Sequence, residues 1–392
     1  MTDAGTSAGI SAVGIVQVYS SAGIFVKAVT TNASGAFAVG GLAPGTYFAR
    51  TSNTLGYRNE LYSELPCAVT CTVTSGTPIT VVGGATTTGI NFTLVQGGEQ
   101  ADLSIDFGSA GLWIRYNNAT WTQLHPASPA AIATGDVDND GHADLIATFP
   151  GAGVWMWKNN STWIQLHALD ASVIATGDMD GNGKAEVIMV FPGFGVWIWA
   201  NDSGFYQLHQ KDPDRVITGD LDGGGLADVI FNFPGVGIWV RLNNSTWQQL
   251  HTSNGTGFAV GDFDGSGRAD LLINFPGAGL WVWSNNASWT QLHAANATVM
   301  TAGDIDGSGK ADAIIAFPGA GVWIWKNNST WLQLHTANAD MMTAADVDGN
   351  GRADLAISFP GAGIWMWLND TSWSQLHTLN PQSMTPGNLD GN

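Results

Sequence analysis

An eleven-residue phrase, GDVDNDGHADL at Gly135–Leu145, returns along this chain at one fixed interval. A fixed interval means a repeated structural unit. The first acidic position falls at Asp136, Asp178, Asp220, Asp262, Asp304 and Asp346, each 42 residues after the last, and Asn388 is next in step. Counted from that residue, oxygen-bearing side chains stand at positions 1, 3, 5 and 9; the first copy has Asp136, Asp138, Asp140 and Asp144. A hard cation such as Ca2+ takes six to eight oxygens at about 2.3–2.6 Å, and alternate residues of a tight loop can aim several carboxylates at one point. Gly141 at position 6 permits the sharp turn. Helix-flanked calcium loops close with Glu at position 12. Here an acid closes at position 9 and strand-like LIATF follows, so the phrase reads as a calcium loop between β-strands.

The other copies vary the ligand set. Asp262, Asp264, Ser266 and Asp270 form one typical copy, Asp304, Asp306, Ser308 and Asp312 a second, and Asp346, Asp348, Asn350 and Asp354 a third. Asp178, Asp180 and Asn182 close with Glu186, a longer side chain that either binds bidentately or distorts the site. Asp220, Asp222 and Asp228 have Gly224 at position 5, so that loop is one ligand short and is expected to be weakest. The alternative is a set of Asx-rich turns without metal. Against it stands the mutual repulsion of three uncompensated carboxylates within nine residues. Up to seven structural Ca2+ ions are expected.

Two more phrases keep the same step. FPGAGVW or a variant begins at Phe149 and five later positions, with a degenerate copy at Phe107; QLH ends at His125, His167, His209, His251, His293, His335 and His377. Each unit divides into four short strands, as in SVIATGD, AEVIMVF, GVWIWAN and GFYQLHQ. The third and fourth are commonly joined by Asn-Asn or Asn-Asp, which tolerate the positive φ of tight hairpins. Four antiparallel strands in a unit of about 40 residues, repeated in tandem, predict a β-propeller. Residues 99–392 make seven such units. The first starts in mid-loop at Asp102 and GNLDGN supplies only the front half of a loop, so Asn388, Asp390, Asn392 and Asp102 are expected to share one split site. The last strand then completes the first sheet and hides its edge; the alternative is a chain that continues past residue 392. Glu99 stands where other loops have Gly, and Asn replaces Asp at position 1.

All 18 Trp follow residue 112 and both Cys precede residue 72, which divides the chain into domains of residues 1–97 and 98–392. Segments such as VQVYS and AFAVGGL alternate as strands do, and Asn32–Gly35 and Ala43–Gly45 read as turns, so the first domain is expected to be a small β-sandwich. TTNASGAFAVGGLAPGTYFARTS with GTPITVVGGATTTGINFTL resembles the carboxypeptidase regulatory-like, transthyretin-type family. That resemblance implies a spacer lacking one edge strand here, and a local Cys67–Cys71 disulfide in CAVTC; two free thiols are the alternative. GDxDGxGxADL followed by FPGAG resembles the FG-GAP or VCBS repeat of integrin α heads and bacterial surface proteins. It implies an all-β, seven-bladed propeller with calcium loops between the first two strands of each blade. Propellers of this kind include bacterial and fungal lectins that bind sugars between neighbouring blades.

The aromatic residues admit two readings. Trp155 and Trp157, like the pairs at 197/199, 281/283, 323/325 and 365/367, share one strand face and are first of all expected in the packing between blades. Trp121, Trp163, Trp247, Trp289, Trp331 and Trp373 fall on the outermost strand beside polar neighbours, and half-exposed Trp suits the apolar face of a sugar. With His125, His167, His251, His293, His335 and His377 they form the candidate ligand surface; the alternative is core packing and strand-end hydrogen bonds.

Net charge is −19 with 13 basic residues, which argues against nucleic acid. Most of the acids lie in the loops, so metal would cancel most of that charge. No apolar run approaches the roughly 20 residues of a membrane span. No secretory leader is read at Met1, which is expected to begin a trimmed chain, while the loops and the Cys pair point to a secreted or cell-surface protein. No nucleophile recurs beside the His series, so catalysis is not expected. A monomeric, multivalent lectin-like binder of glycans is the leading expectation; a protein-binding adhesin or purely structural propeller is the alternative.

Overall fold

The computed structural model describes residues 1–3, 9–10, 15–52, 60–63, 65–66, 73–94 and 100–391. Cys67, Cys71, Glu99 and Asn392 lie outside the described residues, and with them the CAVTC pairing. The chain separates into two compact units, one of them Met1–Gln100 and the other drawn from Ala101–Gly391. Strands dominate both, and no helix among the described residues is long and apolar enough to cross a membrane.

The first unit is built on an antiparallel sheet. Strand Ile15–Ser20 lies between Phe25–Thr30 and Gly45–Ser52, and the sheet continues through Glu60–Leu61 to Leu65–Pro66. Ile79–Val81 also pairs with Gly45–Ser52, while Thr2–Asp3 runs parallel to Thr93–Leu94. Alternation along IVQVYS buries Val16 and Val18, and Val16 packs with Ala49, Ile79, Phe92 and Leu94. The expected turn at Asn32–Gly35 is present: Gly35 N–H donates to the Asn32 carbonyl, and Asn32 Oδ1 accepts from Ser34 and Ala36 N–H.

The second unit is a ring of four-stranded antiparallel sheets, the blades of a β-propeller. Blade 1 comprises Ala131–Gly135, Asp144–Phe149, Gly153–Lys158 and Thr162–His167 in sequential order. Blades 2 to 6 repeat it, opening at Val173–Gly177, Arg215–Gly219, Gly257–Gly261, Val299–Gly303 and Met341–Ala345. The seventh four-stranded sheet is composite: Ser383–Gly387 pairs with Asp102–Asp106, followed by Leu112–Tyr116 and Thr120–His125. First strands neighbour one another all the way round, and Ser383–Gly387 sits between those of blades 6 and 1.

Each strand's place follows from its residues. Second strands such as DLIATF are buried along their whole length, as suits the middle of a sheet packed on both faces. Fourth strands such as TWIQLH are mostly exposed. Both central residues of every third-to-fourth hairpin have φ near +50°, the conformation of a two-residue type I′ turn, and all are Asn or Asp. Gly177 closes its first strand where a side chain has no room: an added Cβ would stand 2.8 Å from the Ala227 Cβ of the next blade.

Candidate metal centres and the clasps between blades

Each metal-candidate loop connects a first strand to a second. Its position-1 Asp folds the loop around itself. Asp262 Oδ1 accepts from Gly265 and Ser266 N–H at 2.8 and 2.9 Å, and Oδ2 from Gly267 N–H at 2.7 Å. The position-3 Asp reaches across to the hairpin: Asp264 Oδ2 accepts from Asn285 Nδ2 at 2.6 Å. The closing acid is buried and ties three segments together. Asp270 Oδ2 accepts from Phe263 N–H at 3.1 Å and Oδ1 from Asn285 N–H at 2.9 Å. Position 5 points back to the loop tip, where Asp140, Asn182, Ser266 and Ser308 accept from the N–H two residues on.

This folding gathers carboxylates. One oxygen from each of Asp136, Asp138 and Asp144 lies within 4.8 Å of the others, and the same holds for Asp178, Asp180, Glu186; Asp220, Asp222, Asp228; Asp262, Asp264, Asp270; and Asp304, Asp306, Asp312. Asp140 is not drawn into the first group. In the composite blade, Leu389 N–H donates to Asp102 Oδ2 at 2.9 Å, Gly391 N–H to Asn388 Oδ1 at 2.8 Å, and Asn117 Nδ2 to Asp390 Oδ2 at 2.7 Å. The split loop is thus assembled from both ends of the ring.

The electrostatics fit a cation. Burial, reinforced by neighbouring carboxylates, pushes Asp144, Asp312, Asp354 and Asp102 up to about 6. Burial likewise raises Asp228, Asp270 and Glu186. At Asp264 and Asp306 hydrogen bonds from Ser and Asn outweigh burial and hold the carboxyls below their usual range. Asp138 Oδ1 and Glu186 Oε1 are buried without a hydrogen-bond partner. An acid raised by its acidic neighbours and a sealed, unpaired carboxylate oxygen are both relieved by a divalent ion bound to oxygen ligands. In two loops a lysine supplies part of that charge. Lys158 Nζ lies 3.2 Å from Asp138 and pairs with Asp202 of blade 2, and Lys326 Nζ lies 3.4 Å from Asp306 and pairs with Asp370 of blade 6.

The Trp and His series meet at the blade boundaries. His251 Nδ1 accepts from Ser253 N–H at 3.0 Å, and its ring lies 4.5 Å from Phe275 and 5.8 Å from Trp289 of the next blade. Its six counterparts repeat the arrangement, ending with His377 against Phe107 and Trp121 of the composite blade. Blade 2 uses Phe205 where the others have Trp. The third-strand pairs pack against the blade before them, as Trp281 and Trp283 do on blade 3. Most of the third-strand indole N–H groups are occupied: Trp155 donates to the Ala152 carbonyl, which also accepts from Gln165 Nε2, and Trp157 donates to Asn160 Oδ1. Where the second Trp is Arg115 or Arg241, the guanidinium stacks over the fourth-strand Trp instead. A polar cavity of about 350 Å³ lies between blades 2 and 3, lined by residues including Asp180, Glu186, Tyr206, Arg241 and Asn244.

Residues 136–189 match the FG-GAP-like repeat family model. The match runs from the first acidic loop of blade 1 into the second strand of blade 2. The chain is similar in fold to a chain of the crystal structure of BBS1N in complex with ARL6DN, soaked with lead, at 11% identity over 71% of this chain and 91% of that one, with a TM-score of 0.53. It is also similar to the Dos1 propeller, at 10% identity over 71% and 81% of the two chains, with a TM-score of 0.47. No curated protein matches it in sequence.

Each repeat carries further side chains that its acidic and aromatic phrases do not announce. Three residues after the His, Asp170 Oδ2 and Oδ1 accept from Gly151 and Gly153 N–H at 2.7 and 2.9 Å, holding the FPGAG turn. Asp212 does the same in its blade, and in the next Asn254 Oδ1 accepts from Gly235 N–H while its Nδ2 donates to the Phe233 carbonyl. The signal was present as H-x-x-[DN] at the same step.

Proposed function

We propose that the propeller is a calcium-stabilised, non-catalytic binding module that works outside the cell and engages a cell-surface protein. The loops would hold Ca2+ through the carboxylates of positions 1, 3 and 9. Metal would serve the fold by binding the folded form alone. The single observation that carries the choice of ligand is the inter-blade clasp. The half-buried fourth-strand Trp rings and the His rings are stacked across the blade boundary, each His Nδ1 is taken by a backbone N–H, and most third-strand indole N–H groups are taken by backbone or side-chain oxygens. Side chains spent in this way hold blades together and leave less for a repeated sugar platform, so the ligand is better sought on the turn-bearing ends of the ring.

Carbohydrate binding is the second reading, favoured by the cavity between blades 2 and 3. Its carboxylates, guanidinium, phenol and amides suit hydroxyl groups. The test is binding to intact cells in calcium, before and after surface proteolysis, alongside a glycan array in calcium and in chelator. Loss of cell binding after proteolysis with a silent array is the expected result. Calcium-dependent array binding abolished by Arg241→Ala would overturn it in favour of the sugar.

A further inference from the structure

The seven loops are bonded to one another as well as to their own blades. The N–H at position 8 of each loop donates to the carbonyl at position 1 of the loop before it. Ala185 donates to Asp136 at 2.6 Å and Ala227 to Asp178 at 2.7 Å, and so on round the ring. The circuit is unbroken at the seam, where Ala143 donates to Asn388 at 2.6 Å and Ala101 to Asp346 at 2.7 Å. A second contact runs the same way. The position-7 side chain of one loop covers the position-4 glycine of its predecessor: an added Cβ on Gly265 would stand 3.0 Å from Lys310 Cε, and one on Gly223 3.0 Å from Arg268 Nε.

The bond joins two residues at the centre of cation binding. Position 1 offers its carboxylate to its own loop and its carbonyl to the next one. Position 8 immediately precedes the closing acid at position 9. Fixing position 1 of one loop therefore fixes the acceptor that locates the closing acid of the next, and the reverse holds equally. We propose that cation occupancy is communicated from each loop to its two neighbours through this circuit, so that the loops fill cooperatively. The proposal rests on the cation-binding reading of the loops. The first ion to bind meets the ordering cost of its own loop and part of that of the flanking ones; a second ion then finds a neighbouring loop already ordered. Coupling of this kind is reciprocal between sites.

Met179 gives a local reporter, because it is fully buried at position 2 of the 178 loop and the other loops have no Met there. Its 13C-methyl signal is followed while CaCl2 is added to chelator-treated full-length protein. Asp136→Asn with Asp138→Asn disables the loop bonded to it through Ala185; Asp304→Asn with Asp306→Asn disables a loop with no bond to it. In the unaltered protein the transition should be steeper than a single-site curve, with a Hill slope above one. The first double variant should move the midpoint to about fivefold or more higher calcium, at the low end of typical coupling, and the second should leave it in place. A slope of one, an unmoved midpoint in the first variant, or equal shifts in both overturns the circuit. Should Met179 not respond at all, bound calcium measured by equilibrium dialysis decides which idea fell. No bound metal sinks the cation reading itself, whereas metal bound in a single-site manner sinks the coupling alone.

Discussion

Asp270 is the residue on which the loop reading can be tested quantitatively. Its side chain is fully buried, and its two oxygens hold Phe263 N–H and Asn285 N–H at 3.1 and 2.9 Å, joining the loop to the third-to-fourth hairpin. Asp270→Ala strands both donors. Each lost bond to a charged acceptor costs about 1–3 kcal/mol, so the substitution should cost about 2–6 kcal/mol in chelator. At about 2–4 °C per kcal/mol for a domain of this order, Tm should fall by roughly 5–20 °C. Asp270→Asn retains one acceptor and removes the charge that burial disfavours, so it should cost only about 1–2 kcal/mol in chelator. Calcium separates the variants further. An ion at a hundred times its dissociation constant stabilises a folded site by about 2.7 kcal/mol, and both variants should lack that increment at one loop. The assay is differential scanning calorimetry of wild type and both variants, in chelator and in millimolar calcium. If Asp270→Asn gains as much from calcium as wild type, the closing acid is no ligand; if Asp270→Ala melts with wild type in chelator, the three-segment tie contributes nothing.

Other outcomes follow from the same geometry. Asp102, Asp144, Asp312 and Asp354 keep their protons up to about pH 6 in the folded metal-free chain against 3.8 ordinarily. The folded state therefore binds more protons than the unfolded one across that window, so in chelator Tm should fall as pH rises from about 4 to about 6. Calcium should reverse the trend, and a metal-free Tm that climbs over this range contradicts the burial of these acids. His251→Ala removes the acceptor for Ser253 N–H and the contact with Phe275, costing about 1–3 kcal/mol by denaturant unfolding. Glu186→Asp should let the closing oxygen accept from Asn201 N–H with the geometry that Asp270 has toward Asn285, and so relieve the buried Oε1. A gain of about 1 kcal/mol in chelator is expected, and a loss would mean the longer side chain is better accommodated than its geometry suggests.

Much of this architecture could be read before any coordinates, because the repeat states it several times over. A step of 42 residues, an acid at alternate loop positions and Asn at both hairpin centres each specify one local conformation, and the ring repeats each of them. The role of the rings was less legible. A strand that reads TWIQLH exposes and buries the same residue types whether its Trp faces a sugar or the preceding blade. What the structure adds is the stacking of His125 on Phe149 and Trp163, a contact between residues of different repeats that no single repeat records. The bonds between loops were illegible for another reason: they join backbone N–H to backbone carbonyl, and any residue but proline can donate at position 8. Asp170 and its counterparts were in plain view, yet a lone Asx after a strand is ordinary turn chemistry until its partners are known.

The seam in the composite blade has a consequence for how the ring is made. Leu389 N–H meets Asp102 Oδ2 across a separation of 287 positions, so the first-made strands of the ring must wait, unsatisfied along one edge, until the strand Ser383–Gly387 has been synthesised. Closing so long a span carries an entropic cost that short-range hairpins escape, and it should be the slow step of assembly. Each of the other blades is continuous in sequence, so a circular permutant opened between two of them would carry an ordinary blade where the seam now lies. Its final folding phase would shift to wherever the new termini meet.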